Sequence, residues 1–252
     1  MEKLKKLFDF FNDETPYYAA SLSFFTIFSI LPLLALLIVV VSSMPIFEEH
    51  LDSMMLYILD FINPTHSLSL TKSIDDFLTN IDKLGNIGIF YLIFVFTMFF
   101  KDYEYIINKI YGTQSRGVVK LFFMYLGFLI LIPILFLLFI FISTIAKFSF
   151  SVHIFTFIFI WIVFIVLFTL SANIKVNFIS ASISSLLTLI VLSITKSLFG
   201  YYVVANTTYT TIYGSFSVAL FFFLWIYISW NIYLYGTKLC SIINKGQITN
   251  AN

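Results

Sequence analysis

Ser21–Val41, SLSFFTIFSILPLLALLIVVV, holds 21 residues without a single charge. At about 1.5 Å per helical residue, such a run crosses a hydrocarbon core of roughly 30 Å. Two features distinguish it from a plain anchor. Ser23, Thr26 and Ser29 recur at every third position and so share one side of a helix. Pro32 removes a backbone donor, which strands the Phe28 carbonyl and favours a kink. Lipid offers that carbonyl nothing, so a neighbouring helix, a hydroxyl or a water has to satisfy it. The stretch reads either as a kinked helix with a small-residue packing face or as a broken helix lining a cavity.

The rest of the chain repeats the theme. It is 60% hydrophobic and 11% charged, against about 25% charged in soluble domains. Its apolar runs are continuous, not the alternating ten-residue segments of a barrel. The fold class is all-α membrane protein: one six-helix domain over residues 1–252, with spans near 21–44, 84–100, 118–145, 152–171, 178–199 and 215–236. The second span is the weakest, with an uncharged apolar core of only Ile87–Phe100. Pro133 predicts tilt or a kink in the third. Residues 1–20 read as a surface-lying amphipathic start that Pro16 turns into the first span, a retained signal anchor. Residues 45–83 read as an extracytoplasmic cap of two amphipathic helices. One carries Leu51, Met54, Met55, Ile58, Phe61 and Ile62, the other Leu70, Ile74, Phe77, Leu78 and Ile81. Cys240 is the single cysteine, so no intrachain disulfide forms.

Charge is distributed unevenly. Residues 1–104 carry six lysines and 13 acids, whereas residues 105–252 carry seven lysines, one arginine and no acid. Glu104 is therefore the last carboxylate side chain. With a cytoplasmic N-terminus, 10 of the 14 basic residues lie on inner segments, which favours cytoplasmic placement of both termini in an inner membrane.

The densest polar cluster is Lys101–Lys120. Lys101, Glu104 and Asn108 stand three and four residues apart, on one helix side, and Arg116 can reach back past a turn at Gly112 to pair with Glu104. This is either a salt-bridged loop between spans or a gate at the inner mouth of a cavity. The fifth span is rich in hydroxyls, Ser180, Ser182, Ser184, Ser185, Thr188 and Ser193, which suit close helix packing. Lys196, near its outer end, is placed to snorkel. In the last span Trp225 lies too deep for an interfacial belt and reads as a packing or cavity residue. His50, His66 and His153 are scattered, with no carboxylate at ligand spacing, and no phosphate loop or nucleophile motif occurs. The residues thus support no nuclease or other enzyme, no metal, no cofactor and no nucleic-acid partner.

Four segments in order carry a family resemblance. Ala19–Leu34 (AASLSFFTIFSILPLL) resembles the opening signature of the YihY/BrkB family of bacterial inner-membrane proteins. Ile212–Leu239, with Tyr213, Gly214, Trp225 and Gly236, resembles its closing signature. Glu104, Asn108 and Arg116 match a similar trio after the second span, and Ala172–Val176 (ANIKV) matches the short loop before span five. The chain departs from the pattern at Ser180-Ala181-Ser182, where the family often has Gly-Ala, and at Lys238, where it commonly has an acid. The resemblance implies a six-helix inner-membrane protein. An old ribonuclease label attaches to the family, and transport of lipid-like material has been suggested for it. The expected function is accordingly a transporter or flippase of a lipid or another anionic or neutral amphiphile, with an envelope scaffold or regulator binding partner proteins as the alternative. Ser23, Thr26, Ser29, Pro32, Lys101, Glu104, Asn108, Arg116, Lys175, Tyr213, Gly214 and Trp225 are the candidate cavity or gate residues.

Overall fold

The computed structural model describes residues 10–11, 13–42, 56, 59, 63, 68–80, 85–145, 152–205 and 216–251. Among these residues the chain is helical, with no strand. The elements are α1 (Thr15–Ser42), α2 (Leu68–Thr79), α3 (Gly85–Tyr111), α4 (Val118–Ile145), α5 (Val152–Ser171), α6 (Phe178–Ala205) and α7 (Phe216–Ala251). Six of them coincide with the six apolar runs. α3 and α7 extend well past the runs, to Tyr111 and Ala251. By length and composition, Phe178–Val203 and Phe216–Gly246 are long and apolar enough to cross a membrane among the described residues.

The helix boundaries follow local chemistry. α1 opens on Asp13, whose carboxylate accepts the Thr15 backbone N–H (3.1 Å) and hydroxyl (2.8 Å), with Pro16 in the first turn where its missing N–H costs nothing. It continues through Pro32 as one helix; lost donation at one position is tolerated inside a helix bundle. α4 likewise runs through Pro133. α6 opens on Asn177, whose carbonyl accepts from Ala181 N (3.1 Å) and whose side chain accepts from Ile179 N (3.1 Å).

α7 is the central partner, packing along α6 and α1, while α1 also lies on α3 and α5 on α6. α6 and α7 approach closely at Gly236, where a Cβ would lie 1.9 Å from Thr188 Oγ1. Small buried residues on α6, namely Ser180, Ala181, Ser184, Ser185 and Thr188, make that approach possible. The core around the inner halves is aromatic, with Phe96, Tyr103, Tyr125, Phe128 and Phe168 buried together. Of the expected cap, α2 is amphipathic, burying Ile74 and exposing Lys72 and Asp76. The first cap helix and the N-terminal surface segment to residue 9 lie outside the described residues.

Candidate functional site

The site begins where α3 ends. Gly112 adopts a left-handed φ of 73°. Its N–H donates to the Lys109 carbonyl (3.1 Å) and the Thr113 N–H to the Asn108 carbonyl (2.8 Å). This pair of bonds closes the helix in a Schellman motif, with the glycine where L side chains are strained. The reversal carries residues 113–117 back along α3 and brings Arg116 onto Glu104.

Glu104 is fully buried, and both of its carboxylate oxygens are occupied. Oε1 accepts from the Arg116 backbone N–H and from Nη1, each at 3.1 Å. Oε2 accepts from Arg116 Nη1 (3.0 Å) and from the Tyr125 hydroxyl of α4 (2.8 Å). Arg116 has a second set of partners. Nη1 donates to the Ser171 carbonyl (3.0 Å), and Nη2 donates to those of Leu170 (3.0 Å) and Ala172 (2.6 Å). These are the carbonyls that the end of α5 leaves without partners, at the negative end of its dipole. One guanidinium therefore neutralises a buried carboxylate and caps a helix.

The α5–α6 connection, residues 172–177, is held by two buried asparagines. Asn108 Oδ1 accepts the Asn173 N–H (2.6 Å) and the Thr113 hydroxyl (2.8 Å). On the other side, Asn244 Oδ1 accepts the Asn177 N–H (2.8 Å) while its Nδ2 donates to the Lys175 carbonyl (3.4 Å). Beneath this strap the Tyr103 hydroxyl bonds Ser171 Oγ (2.9 Å) and the Tyr233 hydroxyl, and Trp230 Nε1 donates to Thr26 Oγ1 (2.8 Å).

A second cluster lies at the start of α1. Lys238 Nζ donates to Asp13 Oδ2 (2.6 Å) and to the Phe10 carbonyl (2.5 Å), and lies 4.6 Å from the Phe10 ring centre. The Tyr235 hydroxyl donates to the Phe11 carbonyl (3.1 Å). Lys109 meets Glu14 at 3.4 Å. Burial raises the Asp13 carboxyl, but its bonds with Lys238 and Thr15 prevail and hold it below the ordinary 3.8. Glu14 is also lowered, by its bonds from Tyr18 and Lys109.

Of the candidates, Glu104, Asn108 and Arg116 come together. Lys101 does not: it is exposed two turns from Asn108, where no strap covers α3. Lys175 lends its carbonyl to the strap while its side chain is exposed. Ser23, Thr26 and Ser29 bond carbonyls of their own helix, at 2.5, 2.7 and 3.4 Å, and face neighbouring helices as packing residues. Trp225 is buried with its ring 5.4 Å from that of Phe199. Pro32 contributes helical backbone, and Tyr213 and Gly214 lie outside the described residues. Tyr125, Ser171 and Asn244 were not singled out from the sequence. Among the described residues no three of His, Cys, Asp and Glu lie together as a metal would require.

The family model described as Virulence factor BrkB matches residues 8–251. The chain belongs to the BrkB family. Its relatives include a UPF0761 membrane protein of Mannheimia succiniciproducens, 27% identical over 98% of this chain and 93% of the relative. Another, from Haemophilus influenzae, is 29% identical over 90% and 89%. A third, from Legionella pneumophila, is 27% identical over 91% of this chain, which spans only 58% of that longer protein. No solved structure matches. This BrkB-family chain is thus a membrane protein, and the Glu104–Arg116 pair belongs to a helical hairpin within it.

Proposed function

We propose that the chain is a six-span inner-membrane transporter or flippase for anionic or neutral amphiphiles, with both termini cytoplasmic and no enzymatic activity, and that the Glu104–Arg116 pair closes its inner mouth. The observation that carries this reading is the pair itself. Burying two charges costs several kcal/mol per ion, so a buried pair stabilises no better than well-packed apolar residues. Its value lies in specifying one arrangement among alternatives. Here that arrangement joins α3, α4 and the end of α5 through one carboxylate–guanidinium pair, Tyr125 reaching the carboxylate and the guanidinium reaching the α5 carbonyls. Exchanging the carboxylate for an anionic head group would part Arg116 from Glu104 and Tyr125 while keeping the guanidinium paired. From residue 105 onward the chain carries no acid, and the carboxylates that pair Arg116 and Lys238, those of Glu104 and Asp13, come from the first half of the chain.

The test is lipid movement in liposomes holding the purified full-length chain, with anionic and zwitterionic fluorescent lipids compared. The expected result is movement above protein-free vesicles, faster for the anionic lipid and altered by Arg116→Gln. No movement of either lipid would refute transport and favour the scaffold alternative. Reporters after Asn252 and near Asn63 should read cytoplasmic and periplasmic, respectively.

A further inference from the structure

We propose that Phe10, Phe11, Asp13 and Glu14 form an electrostatic latch on α7 and α3, released when anionic lipid head groups at this end of the bundle compete for Lys238 and Lys109. The latch is built from adjacent acids pinned to different helices: Asp13 to Lys238 of α7 and Glu14 to Lys109 of α3. Two backbone carbonyls, of Phe10 and Phe11, are captured by Lys238 and Tyr235, and the rings of Phe10 and Phe11 pack against Tyr235 with centres 5.6 and 5.0 Å apart.

Its position makes it consequential. The latch runs directly into α1 at Thr15. The turns of α7 that hold it also bond Thr26 of α1 through Trp230 and Tyr103 of α3 through Tyr233. Within nine residues α7 therefore touches the latch, the first helix and the tyrosines beneath the ion pair.

Its exposure makes it responsive. The side chains of Lys109 and Glu14 are 47% and 69% exposed, and those of Lys238 and Asp13 are 20% and 31% exposed. Pairs this accessible are weak and screened by salt. An anionic membrane surface attracts each lysine about as strongly as its partner acid does. It also repels Asp13 and Glu14, so both halves of each pair favour release. A zwitterionic surface does neither. That release opens the inner mouth rests on the transport reading above; the latch and its lipid response do not.

The test is hydrogen exchange at the amides of residues 10–18 in the full-length chain, in nanodiscs of phosphatidylcholine with or without phosphatidylglycerol. Anionic lipid should accelerate wild-type exchange roughly fivefold, the change expected from weakening one exposed pair. Asp13→Asn and, independently, Glu14→Gln should exchange rapidly in both lipids, with α6 amides unchanged as the folding control. Equal wild-type exchange in the two lipids, or variants that exchange as slowly as wild type, would overturn the latch. Because the readout needs no transport, failure of the transport reading would appear separately, as absent lipid movement with the exchange response intact.

Discussion

Gly236→Ala should destabilise the bundle although alanine is the better helix former. The added Cβ would stand 1.9 Å from Thr188 Oγ1 and 3.0 Å from both Thr188 Cβ and Cγ2. Rotating the threonine does not relieve this cheaply, because its hydroxyl donates to the Ser184 carbonyl at 2.7 Å. Losing that bond costs about 1 kcal/mol. Because the 3.0 Å contact with Thr188 Cβ survives any rotation, α6 has to move away from α7 as well, which is overpacking at about 1–3 kcal/mol more. Against this stands a gain of about 1 kcal/mol from replacing glycine inside a helix. The net loss is about 1–3 kcal/mol, or at about 2–4 °C per kcal/mol a fall of several degrees in the thermal midpoint measured in detergent. Thr188→Ala in the Gly236→Ala background should recover most of that fall, with a coupling energy of at least about 1 kcal/mol in the double-mutant cycle. A Gly236→Ala midpoint equal to wild type, or additive effects of the two changes, would refute the close approach.

Glu104→Gln and Arg116→Gln should each cost about 3–5 kcal/mol, since either leaves one buried charge alone; the double variant should cost less than their sum, checked by thermal midpoint. Arg116→Lys should not restore wild-type stability, because an ammonium lacks the fork that meets Glu104 and three carbonyls at once. Trp225→Ala should lose about 3–5 kcal/mol through the cavity left against Phe199 and Phe221, read by the same melt. Asp13 has its carboxyl held below 3.8 in the folded chain. Its pairing therefore contributes above that pH and is lost as pH falls through the lower folded value. Protection at residues 10–18, relative to intrinsic exchange at each pH, should fall on acidification below about pH 4 in wild type and fall less in Asp13→Asn, where only Glu14 of the latch titrates.

The helices were legible because an apolar run longer than 18 residues has few alternatives. The Glu104–Arg116 pair was also legible, since a glycine between a carboxylate and an arginine 12 residues apart signals a reversal. Lys101 shows the limit of such reasoning. Helical spacing states which side of α3 a residue lies on, but whether that side is covered depends on the α5–α6 strap, some 70 residues later. The same distance hid Tyr233, which meets Tyr103 across 130 positions, and Asn244, which meets Asn177 across 67. Gly236 stands in the sequence only as part of the closing signature, whereas its role is set by Thr188 on another helix. The capping of α5 by Arg116 was invisible for a further reason: its acceptors are backbone carbonyls, which carry no residue identity.

The spacing of the buried charges bears on the order of assembly. Glu104, Arg116 and Tyr125 all lie on the α3–α4 hairpin, within 21 residues. During synthesis the carboxylate meets its counter-ion and its hydroxyl donor as soon as α4 has emerged, before α5 exists. The hairpin can thus form with its buried carboxylate already neutralised. The guanidinium hydrogens not used by Glu104 then wait for the carbonyls of residues 170–172, so that α5 docks onto a receptor already in place.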